Sequence, residues 1–177
     1  MTESLEYEVV RKIGEVEIRR YPVVLLATVT GSNDDSGFNM LFRYISGDNL
    51  VGEKISMTAP VVSQQARGER MAMTTPVISD PSSFSFALPS KYNAATVPRP
   101  RDPRVKVEAI PSRLVAVLRF SGRTYDREVM ARERELLKVL ADNGITARGS
   151  PFLMRYNSPF TPGFLRRNEV GVEVVGP

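Results

Sequence analysis

Apolar residues alternate with charged or polar ones along most of this chain, and only two stretches replace that two-residue period with a helical one. A period of two sends successive side chains to opposite faces of a strand, so the chain must build a sheet with a wetter and a drier face. Tyr7, Val9, Val16 and Ile18 follow this rule, and Gly14 between them marks a bulge or tight turn. Tyr21-Pro22 interrupts the pattern before a more buried strand, Val23 to Thr30. Residues 54–62 and 71–78 each contain Met-Thr-x-Pro-Val and read as a hairpin-like pair joined by a polar loop, with the prolines at edges or bulges. Further strands are expected at 84–88, 105–109, 114–120, 152–156 and 169–175, and 89–103 is a proline-containing connector.

The two helical stretches are short and long. Phe38, Leu41, Phe42 and Ile45 recur at i, i+3, i+4 and i+7, with Ser36 as N-cap and Gly47 as the stop. Asp126 to Asn143 places Val129, Met130, Leu136, Leu137 and Leu140 on one side, with Asp126 capping and Gly144 ending the helix. The order strand–strand–helix–strand–strand then occurs twice, over about 5–90 and 104–175 of one domain spanning 1–177. This predicts an α+β fold, a curved sheet or distorted barrel with two pseudo-repeated halves and a helix on each.

Composition removes whole classes of chemistry. The chain has no cysteine and no histidine. Disulfides, thiolate metal sites, a Ser-His-Asp triad and a histidine general base are therefore all excluded. The net charge is +4, but the 24 basic residues are scattered, which predicts a mixed solvated surface and no nucleic-acid site. The acidic, polar start has no apolar signal segment, and the longest apolar run, Val23 to Ala27, is too short to span a bilayer. A cytoplasmic monomer is the expectation. Asp34-Asp35 reads as a solvated turn, not as a metal loop.

Several segments resemble the SOUL/p22 heme-binding family. They are Tyr7-Glu8-Val9, Glu17-Ile18-Arg19-Arg20-Tyr21, Gly37-Phe38 through Gly47-Asp48-Asn49, Lys54 to Val61, Tyr156-Asn157-Ser158-Pro159 and Arg166 to Val170. The resemblance implies a distorted antiparallel β-barrel of two four-stranded halves flanked by two helices, and a heme or other tetrapyrrole as ligand. It places that ligand between Phe38–Ile45 and the loop Phe160–Arg167. Some members carry an axial histidine in the stretch that here reads Ile18-Arg19-Arg20-Tyr21. Arg20 stands at that position, and an arginine stays protonated, so that ligation is excluded.

The candidate site residues follow. A macrocycle needs an apolar slot, and Phe38, Leu41, Phe42, Ile45 and Met57 with Phe160, Phe164 and Leu165 are the candidates. The helix residues are equally suited to facing a core. Arg166 and Arg167 suit two propionates, or local ion pairs with Glu169. Tyr44 and Tyr156 are the candidate axial ligands, with water-completed coordination as the expectation. No constellation demands catalysis, so the chain reads as a carrier, buffer or scavenger and not an enzyme. The alternatives are an effector-binding module for other apolar small molecules, a tetrapyrrole-processing enzyme, and an interaction protein using the same groove.

Overall fold

A computed structural model of the chain describes residues 3–31, 34–64, 82–157 and 160–176. Along it run β1 (Glu3–Ser4), β2 (Glu8–Ile13), β3 (Val16–Tyr21), β4 (Val24–Thr30) and α1 (Asp34–Ile45). Then come β5 (Thr58–Gln64), β6 (Ser83–Ala87), β7 (Lys106–Ile110), β8 (Arg113–Phe120) and α2 (Asp126–Asp142). The chain closes with β9 (Ala147–Arg155), a 3-10 turn at Gly163–Leu165 and β10 (Asn168–Val174). The α+β reading holds, with two helices on a mostly antiparallel sheet. No helix among the described residues is long and apolar enough to cross a membrane.

The sheet runs β2-β3-β8-β10-β9-β5-β6-β4-β7, and β1 adds in parallel to β5. It is not a closed barrel. β2 and β7 are its ends and do not pair with each other among the described residues. Both ends carry charges that discourage further pairing, Glu8, Arg11 and Lys12 on one and Lys106 and Glu108 on the other. β4, α1, β5 and β6 share one connectivity with β8, α2, β9 and β10, since in each the last strand lies between the other two. The strand before each group pairs in the other, β3 on β8 and β7 on β4.

One of the two sequence readings of Gly14 holds, and local boundaries differ from the sequence reading in three further places. Gly14, at φ +58°, makes the tight turn between β2 and β3, so the first alternating stretch is a hairpin. Helix α1 starts at Asp34, two residues before the expected cap Ser36. Tyr125, not Asp126, is the N-cap of α2, with no side-chain cap bond, and Asp126 instead lies in the first turn. Strand β5 begins only at Thr58, and its register shifts between Thr58 and Val61, where Pro60 has no N–H to give the ladder. The expected partner strand 71–78 and the loop before it, from residue 65 on, lie outside the described residues.

Both helices cover the same face of the sheet. Paired residues share a face, and one row crosses seven strands through Val107, Ala27, Phe86, Val61, Arg155, Asn168 and Phe120. Met40, Leu41, Tyr44 and Ile45 of α1 pack on one end of that face with Ala27 and Phe86. Leu136 and Leu140 of α2 pack on the other end with Phe120, Leu153 and Val170. The opposite face has its own cluster, Tyr21, Val115, Val117, Phe152 and Met154. Gly171 belongs to that second face because there is no room for more. A Cβ there would lie 2.9 Å from Phe152 Cε2 and 3.1 Å from Met154 Cε. The methionine end can swing aside, but the Phe152 ring lies against the Arg113 guanidinium. Gly171→Ala is therefore expected to cost about 1–2 kcal/mol, read as a lower urea midpoint at unchanged slope.

Candidate functional site

Helix α1 turns one edge of its apolar stripe outward. Leu41 and Ile45 are buried in the core, and so are Met40 and Tyr44. Phe38 and Phe42 lie beside this stripe and remain 38% and 48% exposed. Their rings stack at 5.8 Å with 12° between planes. Phe38 also meets Phe86 edge-on at 5.4 Å and Phe84 at 6.5 Å. The guanidinium of Arg155 lies 5.6 Å from the Phe84 ring centre. Arg155 ends β9, and only β5 separates that strand from β6. A row of stacked side chains thus leads from the outer face of α1 to the end of β9 at Arg155, the strand that precedes Phe160–Arg167 in the chain.

That loop holds apolar side chains in water. Phe160 is 95% exposed, Phe164 78% and Leu165 61%. The backbone at Phe164 and Leu165 is hydrogen-bonded, with Leu165 N–H donating to the Pro162 carbonyl. Gly122 donates to the Gly163 carbonyl at 2.9 Å, and Arg166 Nε donates to the Thr161 carbonyl at 2.8 Å. Exposed apolar groups of this size, close together, mark an interaction surface.

The two ends of the loop meet in a buried charge network on the other face of the sheet. Glu169 is fully buried, and its carboxylate accepts from Arg19 Nη1 at 2.8 Å and Nη2 at 2.7 Å. It also accepts from the Tyr156 hydroxyl at 2.6 Å and from Arg167 Nη2 at 3.0 Å. Arg19 further donates to Glu17 and to the Tyr21 hydroxyl, and its guanidinium sits 4.0 Å over the Tyr7 ring. Arg167 donates to the Tyr7 hydroxyl and lies 4.1 Å over the Tyr156 ring. Burial pushes the Glu169 carboxyl up, but hydrogen bonds from Arg19 and Tyr156 and the two positive charges outweigh it, so its pKa is lowered. Burial works against the charge on Arg19 as well, and hydrogen bonding and attraction from Glu169 more than restore it. Tyr156 begins the loop and Arg167 ends it, so one carboxylate holds both.

Apart from the Arg167–Glu169 pair, this network escaped the sequence reading, although its members lie in four of the segments that carry the family resemblance. The remaining candidates occupy other places. Tyr44 is buried, and its hydroxyl donates to the Pro98 carbonyl at 2.6 Å. Burial and the neighbouring Tyr92 hold its phenol up at about 12. Burial and the Glu169 charge likewise raise the Tyr156 phenol. Met57 is half-buried against the α1 core. Arg167 makes the local ion pair with Glu169. Arg20 lies on the opposite face from Arg19, exposed, 3.5 Å from Glu8. Asn49 of the Gly47-Asp48-Asn49 segment is structural. Its buried amide donates to the Tyr44 and Glu53 carbonyls and accepts from the Val51 and Glu53 N–H groups, which fixes the exit of α1. Among the described residues no three acidic side chains cluster to hold a metal ion.

Comparison with known structures finds this fold elsewhere at low identity. The C-terminal domain of EcmrR superposes with a TM-score of 0.62 at 13% identity, covering 97% of this chain and 99% of that one. EcmrR in its DNA complex gives 0.64 at 12%, with 92% of this chain on 57% of that one. A protein from Listeria innocua described as a hydrolase gives 0.60 at 11%, covering 91% and 92%. These identities establish a shared fold and nothing about ligands. A search of curated proteins returns no match. The family model described as SOUL heme-binding protein matches residues 2–173, nearly the whole chain, and the protein therefore belongs to the SOUL family.

Proposed function

We propose that this protein binds heme or a related tetrapyrrole as a carrier, buffer or scavenger, on the surface shared by Phe38, Phe42, Phe160, Phe164 and Leu165. One observation supports this most, namely that five large apolar side chains of the two candidate segments are exposed. Leu41, Ile45 and Met57 support that surface from beneath. Arg166 and the exposed Arg43 in the last turn of α1 are the cations suited to meet propionates, and Arg167 serves by holding the loop. The residues fit a tetrapyrrole bound by apolar contact and charge without an axial protein ligand, because both candidate phenols are held protonated. The bound iron would keep water or another exchangeable ligand. No catalytic step is assigned. The whole chain acts as one domain, and the matching connectivity of its two groups supports reading 5–90 and 104–175 as pseudo-repeats. The reading is of a cytoplasmic monomer with no nucleic-acid partner.

The test is a hemin titration followed by Soret absorbance, repeated with iron-free protoporphyrin. Saturable one-to-one binding is expected for both, at similar affinity, since no protein group ligates the iron. Phe164→Asp, at an exposed position, is expected to weaken both about tenfold. Non-saturating absorbance indifferent to the substitution would overturn the reading and favour a different apolar ligand or a partner helix on the same surface.

A further inference from the structure

A second groove lies at the other end of the helix-covered face, between the β2–β3 edge and the end of α2. It encloses about 360 Å³, within the usual range for small-molecule sites. Ile18, Leu114, Ile145 and Val174 make its apolar lining, and Val10, Arg11 and Arg20 line its β2–β3 side. Among the described residues no carboxylate lines it.

Two features of the backbone build this arrangement. The first is the register shift in the β2–β3 hairpin. Val9 pairs with Arg19, but Arg11 pairs with Ile18, so Val10 is the extra residue of a bulge. Without the bulge Arg11 would face the opposite side from Ile18. With it, Arg11 joins Arg20 and Ile18 on the groove side. The second is the closure of α2. Its exposed carbonyl end would repel an anion, but Leu140 O accepts from Ile145 N–H at 2.9 Å and Ala141 O from Gly144 N–H at 3.2 Å. Fewer free carbonyls at the helix end are therefore left to oppose an anion. Arg11 makes no ion pair among the described residues, and Arg20 has only the exposed Glu8 at 3.5 Å, a weak, solvent-screened partner.

Two guanidiniums beside an apolar trough match one chemical class, an acid with a hydrocarbon tail. We propose that this groove binds a medium-chain carboxylic acid, with its carboxylate held by Arg11 and Arg20 and its chain lying on Ile18, Leu114, Ile145 and Val174. Guanidinium forks grip carboxylates bidentately, and the tail gains by leaving water. The site is distinct from the Phe38–Phe42 surface, which lies on the other helix.

The test is a methyl NMR titration of the full chain with sodium decanoate, with decanol and inorganic phosphate as separate probes. Decanoate is expected to shift the methyls of Ile18, Leu114, Ile145 and Val174 saturably, and phosphate alone to leave them unmoved. Arg11→Gln with Arg20→Gln is expected to weaken decanoate about tenfold and leave decanol binding unchanged. Val10→Asp, a surface change that spares the core, is expected to act in the same direction. Equal losses for decanoate and decanol, saturation by phosphate at the same methyls, or decanoate shifts centred on Phe38 and Phe42 would each overturn the proposal. Prior saturation with hemin is expected to leave decanoate binding intact. Displacement of decanoate from these methyls by hemin would overturn the claim of a separate site.

Discussion

Replacing Glu169 with alanine is expected to lower the unfolding free energy by about 3–5 kcal/mol, because it strands Arg19 without its main buried counter-charge. Arg19 is almost wholly buried, and Glu169 supplies two of its hydrogen bonds at 2.7 and 2.8 Å. Glu17 remains as a partner at 2.8 Å, but it is half-buried and already shared with Lys12. The Tyr156 hydroxyl loses its acceptor, and Arg167 loses its ion pair. The loss is thus that of unpaired buried groups, which exceeds the net worth of the intact pair. Glu169→Gln keeps the shape and one acceptor and is expected to lose less. Urea unfolding measures both. The same residue gives an acid signature. Its folded pKa lies below the ordinary value of 4.5, so its contribution is complete above about that pH and is lost as pH falls through the lower folded value. Wild type is expected to lose stability over that acid range, and the alanine variant to show a correspondingly shallower loss. A variant as stable as wild type at neutral pH would remove the network from any account of how the loop is held.

Much of the fold was legible in the sequence because a strand period of two and a helix period of 3.6 are local properties. β4, β6, β8, β10 and α2 all fall where those periods place them. Barrel closure was not legible, since it depends on whether two distant edges meet, and β2 and β7 both carry charge at their edges. Helix α1 shows the limit within one element. Counting Phe38, Leu41, Phe42 and Ile45 as the apolar stripe centres it too far round the helix. The packed stripe includes Met40 and Tyr44, and Tyr44 can be buried because Pro98 accepts its hydroxyl. That acceptor is 54 residues away, so nothing local announces it. Phe38 and Phe42 are then rotated to the rim, where they become surface. Arg19 was missed for a related reason. Adjacent arginines in a strand face opposite ways, but the alternation alone does not say which one enters the protein. Arg20 drew notice as the residue in a histidine's place, while Arg19 on the same strand carries the buried charge. A faint signal was present, since Tyr7, Tyr21 and Tyr156 stand near the arginines and glutamates of the same segments, and buried tyrosines seek polar partners.

Phe42→Asp is expected to weaken hemin binding by about one hundredfold while costing less than about 1 kcal/mol of stability, and the contrast between those numbers is the informative result. The fold barely depends on this ring. It is 48% exposed, and among the described residues its ring contact is with Phe38, itself on the rim. Phenylalanine and aspartate have similar helix propensities, so the main cost to α1 is a negative charge near its C-terminal turn. A tetrapyrrole lying on the Phe38–Phe42 stack would bury that ring, a contact worth about 1.5–3 kcal/mol. The introduced carboxylate would also face propionates of like charge. Phe42→Gln separates the two contributions, since it removes the ring without adding charge, and is expected to lose about tenfold. Soret titration gives the affinities, and urea unfolding of the ligand-free proteins gives the stabilities. If both variants bind hemin as wild type does while Phe164→Asp does not, the ligand rests on the loop alone and α1 is only its scaffold. If all three lose affinity with stability intact, helix and loop form one surface, and Glu169 joins them indirectly by fixing where the loop begins and ends.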